Sequence, residues 1–125
     1  MMALALLLAA QDAAPGQDAR ANEITVIGRK LRDWRGHADF KKGKASCRTR
    51  KSTGDAAIDR IGCESTVQCF TAMQPRFDAS QDKTLAADER KRRLASLNQE
   101  LGQCFADKRE AMIAALADAR ATQGN

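Results

Sequence analysis

The sequence predicts a small α+β domain, in which a short antiparallel sheet from the N-terminal half packs on helices from the C-terminal half and two disulfides brace the whole. Three observations carry this expectation. β-branched and alternating segments fill the first half, apolar residues recur at helical spacing in the second, and four cysteines, an even number, are spread over both. The chain has 125 residues, 43% hydrophobic but only 4% aromatic, so its core is thin and leans on covalent bracing.

Residues 1–10 read MMALALLLAA, an apolar run far short of the roughly 20 residues that a bilayer span needs. The run matches the hydrophobic stretch of a secretory signal, with Ala9, Ala10, Ala13 and Ala14 as small residues for cleavage. Residues 1–14 are therefore expected to be a signal peptide, and the protein periplasmic or secreted. Residues 11–22, with Pro15 and Gly16, show no periodic apolar face, so 15–22 is expected to be a flexible leader and 23–122 a single domain.

Glu23-Ile24-Thr25-Val26-Ile27 is β-branched and closed by Gly28, which favours a strand, and a second short strand is expected near Leu31 to Trp34. In Ala45-Ser46-Cys47-Arg48-Thr49-Arg50-Lys51 the alternation turns Ala45, Cys47 and Thr49 inward and Ser46, Arg48 and Arg50 to water. Ser52-Thr53-Gly54-Asp55 reads as a turn, with Asp55 as a helix N-cap. Ile58, Ile61, Cys63, Val67 and Phe70 then follow helical spacing up to Pro75, where the helix is expected to close.

A long helical region is expected from about residue 78 or 80 to about 122. Leu94, Leu97, Leu101, Cys104, Phe105, Met112 and Leu116 share one stripe of it. Leu85 points to the opposite side, which implies either two helices broken near Ala95 or earlier, or one helix with a second contact face. Gly102 is a candidate kink, and Lys108, which falls within the stripe, is expected to snorkel.

The cysteines are Cys47, Cys63, Cys69 and Cys104, with no C-x-x-C among them, so disulfides are favoured over a zinc site and no metal or other cofactor is expected. Of the three possible pairings, Cys47 with Cys63 and Cys69 with Cys104 is favoured. The first closes a strand onto the next helix, and the second ties that helix to the long one.

The net charge is +5, but it is unevenly placed. The stretch 29–51 holds ten cations, Arg29, Lys30, Arg32, Arg35, Lys41, Lys42, Lys44, Arg48, Arg50 and Lys51, against Asp33 and Asp39, with Trp34, His37 and Phe40 among them. Such a face suits an anionic lipid, lipopolysaccharide or an acidic polysaccharide; a solvated sheet edge protected from aggregation has the same composition. By contrast, Asp88-Glu89-Arg90-Lys91-Arg92-Arg93 sets acids four residues ahead of cations and reads as a solvated helix face.

One histidine excludes most catalytic triads and histidine-based metal sites, and the spacing of Asp55 and Asp59 forms no specific catalytic constellation, so no enzyme is expected. The leading expectation is a non-catalytic exported binding or structural module with a basic face. The alternative is an assembly module that meets a protein partner, or a second copy of itself, through the 94–116 stripe.

Ser52-Thr53-Gly54-Asp55, Ile58-Asp59, Ile61-Gly62-Cys63 and Cys69, preceded by Ile24-Thr25-Val26-Ile27-Gly28 and Cys47-Arg48, resemble small exported cysteine-containing proteins of Gram-negative bacteria that have no assigned activity. The resemblance covers roughly residues 23–70 and implies location, not chemistry. Residues 23–28 are also similar to the strand that opens the plug of TonB-dependent receptors, but the chain is too short for such a receptor's barrel.

Overall fold

The computed structural model describes residues 15–123, so the expected signal peptide at 1–14 lies outside the described residues. The order is helix α1 (Pro15–Asp33), strands β1 (Arg35–Lys41) and β2 (Lys44–Lys51), helix α2 (Ala56–Ser80) and helix α3 (Ala87–Gln123). It is an α+β fold with one antiparallel hairpin laid on helices. No helix among the described residues is long and apolar enough to cross a membrane.

The N-terminal strands expected at 23–27 and 31–34 are instead the second half of α1 and its exit, and the expected leader at 15–22 forms the first turns of that helix. This also removes the likeness to a receptor plug strand. The reason is tertiary. Ile24, Ile27 and Leu31 are spaced three and four apart, and only a helix turns all three onto Ile58, Ile61 and Ala117. Burial of that stripe outweighs the weak strand preference of its β-branched residues. Arg20 in the expected leader pairs with Asp118 of α3, and the Thr25 hydroxyl donates to the carbonyl of Ala21.

Strand β2 follows the alternation read in the sequence, whereas its partner β1 lies at 35–41, just beyond the strand expected near Leu31 to Trp34. β1 and β2 pair through Ala38 with Cys47 and Phe40 with Ala45, and a bulge lies beside Arg35 and Gly36. Lys42 and Gly43 both have positive φ, 54° and 74°, as a tight two-residue turn demands. Ala45 and Cys47 are half-buried toward α2, whereas Thr49 is more exposed than expected and serves instead as acceptor for the Trp34 indole N–H at 2.9 Å.

Helix α2 begins as expected at Asp55, whose carboxylate accepts from the backbone N–H groups of Ala57 and Ile58 at 3.0 and 3.4 Å. It does not close at Pro75 but continues to Ser80. Proline deprives the Thr71 carbonyl of its helical donor, yet Thr71 and Pro75 are both exposed, so water can satisfy it. Met73 and Ser80 are buried on the other side and hold the distal turns in place.

The break that Leu85 foreshadowed lies at residues 81–86, where Asp82 accepts from both the backbone N–H and the hydroxyl of Thr84 at 2.9 and 2.8 Å. From Ala87, α3 runs unbroken through Gly102. Both favoured disulfides are present, Cys47–Cys63 and Cys69–Cys104, and no described cysteine is free.

Candidate functional site

At the junction of all five elements stands Trp34. It is 8% exposed, and the backbones around it make room for its ring. A methyl group on Gly62 of α2 would come within 2.5 Å of the indole, and one on Gly36 of β1 within 2.2 Å. The tryptophan is therefore core, not an exposed stacking platform. Its place anchors the first residue of β1 against α2 and so fixes the angle at which the hairpin leaves α1.

The disulfide Cys47–Cys63 clamps β2 to α2 from the same side. Toward the hairpin tip, Phe40 meets Phe70 edge-on at 5.7 Å, and Phe70 meets Phe105 at 5.8 Å. These contacts occupy the inner face, Ala38, Phe40, Ala45 and Cys47, and leave the opposite face to solvent.

That outer face gathers most of the predicted cations. The register sets Lys41 across from Lys44, His37 across from Arg48, and Arg35 across from Lys51, with Arg50 at the bulge and Lys42 at the tip. All seven hairpin cations are exposed, as are Arg29, Lys30 and Arg32 on α1. None of these ten forms an ion pair with a carboxylate among the described residues. Arg35 is steadied by donating to the carbonyls of Arg32 and Trp34, both at 2.8 Å. The one acid on the strands, Asp39, is engaged by His37 at 3.0 Å.

The structure also divides the stretch in a way that the sequence did not indicate. Arg29 and Arg32 leave the hairpin and line a groove between α1 and α3. Lys30 stands on the solvent side of α1. The basic region is thus a hairpin face plus a helix edge, rather than one sheet.

Asp55 and Asp59, which share a helical face, are both engaged in local structure. Besides capping α2, Asp55 accepts from Arg120 of α3 at 2.6 Å. Burial alone raises its pKa, but the hydrogen bonds from Arg120, Ile58 and Ala57 and the Arg120 charge outweigh that, and the net shift is downward. Asp59 accepts from the Ser52 hydroxyl and from the Thr53 N–H and hydroxyl, both at 2.8 Å, and these bonds also lower its pKa. Among the described residues, no three His, Cys, Asp or Glu side chains converge as metal ligands.

One residue escaped the sequence reading. Lys108, expected in the apolar stripe, is exposed, and the cation that enters the stripe is Arg109. It follows Phe105 by four residues and precedes Met112 by three, the spacing of a core position, and that was the available signal. Its Nε donates to the Ser65 hydroxyl at 3.0 Å and its Nη2 to that of Thr66 at 3.4 Å. Its guanidinium lies 5.6 Å from the Trp34 ring centre and 5.2 Å from that of Phe105.

The run 88–93 is a solvated helix face, where Glu89 pairs with Arg92 and Arg93 and Asp88 forms no ion pair among the described residues. The stripe at 94–116 is largely consumed inside the fold. Leu97 is buried, Leu101, Cys104, Phe105, Met112 and Leu116 are half-buried, and Leu94 is 42% exposed. Compared with known proteins, the chain matches no protein-family model, no curated protein and no solved structure.

Proposed function

We propose that this protein is a non-catalytic, exported binding module of the bacterial envelope whose cationic hairpin engages an anionic envelope component. The observation that carries the reading is the exposure of all seven hairpin cations on a clamped scaffold, without a carboxylate partner for any of them among the described residues. Cations that serve only solubility gain from interspersed acids, whereas this face keeps its field directed outward. Two disulfides and the apolar run at 1–10 support an oxidising compartment outside the cytoplasm.

The test is co-sedimentation of the oxidised protein with phosphatidylglycerol vesicles, phosphatidylcholine vesicles, lipopolysaccharide and alginate over a salt series. Binding to anionic partners should weaken steeply with salt, because each cation near an anionic surface contributes about 1 kcal/mol that is screened within a Debye length. The combined variant K41Q/K42Q/K44Q/R48Q/R50Q should lose it. Equal binding to phosphatidylcholine, or full binding by that variant, would overturn the reading. Export is tested by intact mass of protein recovered from the periplasm, which should lack about 10 to 14 N-terminal residues and show no free thiols before reduction.

A further inference from the structure

A second cationic feature lies away from the hairpin face. Between α1 and α3 runs an open groove of about 1100 Å³. Ile24, Ile113 and Ala114, all half-buried, supply apolar wall, and Arg29, Arg32 and Arg109 supply charge. Arg20 also borders the groove but is paired with Asp118. Glu110 is the one carboxylate on the rim, and it is exposed and forms no ion pair among the described residues.

Arg109 is the unusual member. A half-buried guanidinium normally finds a carboxylate, because burial without one leaves charge poorly compensated. Here the partners are two hydroxyls and two aromatic faces, all neutral. The hydroxyls are themselves fixed, since Ser65 and Thr66 both donate to the carbonyl of Gly62 at 3.1 and 2.7 Å. Nε and Nη2 are thereby held, whereas Nη1 makes no hydrogen bond within the described protein. No buried side-chain nitrogen or oxygen among the described residues lacks a partner, so Nη1 is not fully buried. The side chain is thus pre-oriented with donor capacity to spare, which cuts the ordering cost of binding.

We propose that this groove binds a small anionic amphiphile, its carboxylate or phosphate head held by Arg109 with Arg29 and Arg32 and its apolar body laid along Ile24 and Ile113. Charge complementarity selects the occupant. Three guanidiniums facing one carboxylate call for an oxyanion, and guanidinium is the side chain best shaped to hold one with two donors. The apolar wall beside them calls for a hydrocarbon portion on the same molecule. This inference does not rest on the hairpin reading.

The experiment is calorimetric titration of the disulfide-intact chain with dodecyl phosphate and with laurate, each below its micelle concentration. Dodecyl maltoside supplies the same chain on a neutral head, and inorganic phosphate supplies a head without a chain. Both anionic amphiphiles should bind one per protein, and a preference between them would identify the head as phosphate or carboxylate. R109K should weaken binding roughly tenfold or more by losing the planar fork. The double variant R29Q/R32Q, at exposed positions that leave the core untouched, should weaken it similarly, and R92Q on the solvated face of α3 should not. The proposal is overturned if the maltoside binds as well as the anions, if inorganic phosphate binds as tightly as dodecyl phosphate, if R29Q/R32Q binds like the parent, or if neither amphiphile saturates at one per chain.

Discussion

The two ends of the molecule are built on different principles. Around Trp34, three helices and the hairpin converge on one apolar cluster, with Ile27, Leu31, Ile58, Ile61 and Ala117 all buried. Beyond Cys69 and Cys104, α2 and α3 continue together as a two-helix arm in which Met73, Ser80 and Leu97 are the buried residues. The first end is held by convergence of distant segments. The second is two amphipathic helices side by side, for which the buried area is small and covalent closure by Cys69–Cys104 correspondingly important.

Reduction should have the largest effect and should break the contrast altogether. Loop-closure entropy assigns about 3 kcal/mol to Cys47–Cys63 and about 4 kcal/mol to Cys69–Cys104, together comparable to the whole stability of a small domain. Cooperative thermal unfolding, followed by circular dichroism, should therefore disappear in reductant. With only the second bond removed, as in C69A/C104A, amide exchange should accelerate first in residues 70–103 and only later around Trp34. Uniform acceleration would show that the ends are one cooperative unit.

Gly62→Ala comes next and probes the convergent end. An alanine inside a helix normally stabilises by about 1 kcal/mol relative to glycine. Here the added methyl meets the indole at 2.5 Å, and a ring pinned by Thr49 and Gly36 has nowhere to retreat, so the sign should reverse to a loss of about 1 to 3 kcal/mol in urea unfolding.

Asp55→Ala tests the seam where α2 starts and α3 ends. Loss of the cap should cost about 1 to 2 kcal/mol. The folded pKa values of Asp55 and Asp59 lie below their ordinary value, so their contribution is complete above the unfolded carboxylate pKa and is lost as pH falls through the folded one. Thermal midpoints of the parent should fall as pH drops below about 4, and the D55N/D59N variant should show a flatter acid limb. The smallest effect is expected in the arm. Gly102 has nothing within 4 Å of an added methyl, so Gly102→Ala should stabilise by up to about 1 kcal/mol.

What the sequence made legible follows the same division between local and distant causes. The alternation of Ala45 and Cys47, the Asp55 cap and the stripe through Leu97 and Phe105 rest on neighbours within a few turns, and each is found as read; the favoured cysteine pairing, which spans 16 and 35 residues, is also found and followed from the order of the elements that carry the cysteines. Ile24 to Ile27 is helical because of Ile58, Ile61 and Ala117, residues far along the chain that no local propensity reports. The passage of α2 through Pro75 depends likewise on Met73 and Ser80 meeting α3. The candidate cations were legible as a composition, but their division between hairpin face and groove needed the course of α1. Arg109 was hidden for a simpler reason: Lys108 and Arg109 both fit the three-and-four spacing of the stripe, and only packing against Trp34 and α2 decides which of them turns inward.

The protein contains one tryptophan and no tyrosine. With the indole N–H held by Thr49 and a guanidinium over the ring, the molecule's near-ultraviolet absorption and emission come almost wholly from one spot where every element meets. The intrinsic light signal is thus a built-in gauge of that junction. Events confined to the distal arm should pass unseen by it, while any loosening of the hairpin from α2, or any change at Arg109, should register without an added label.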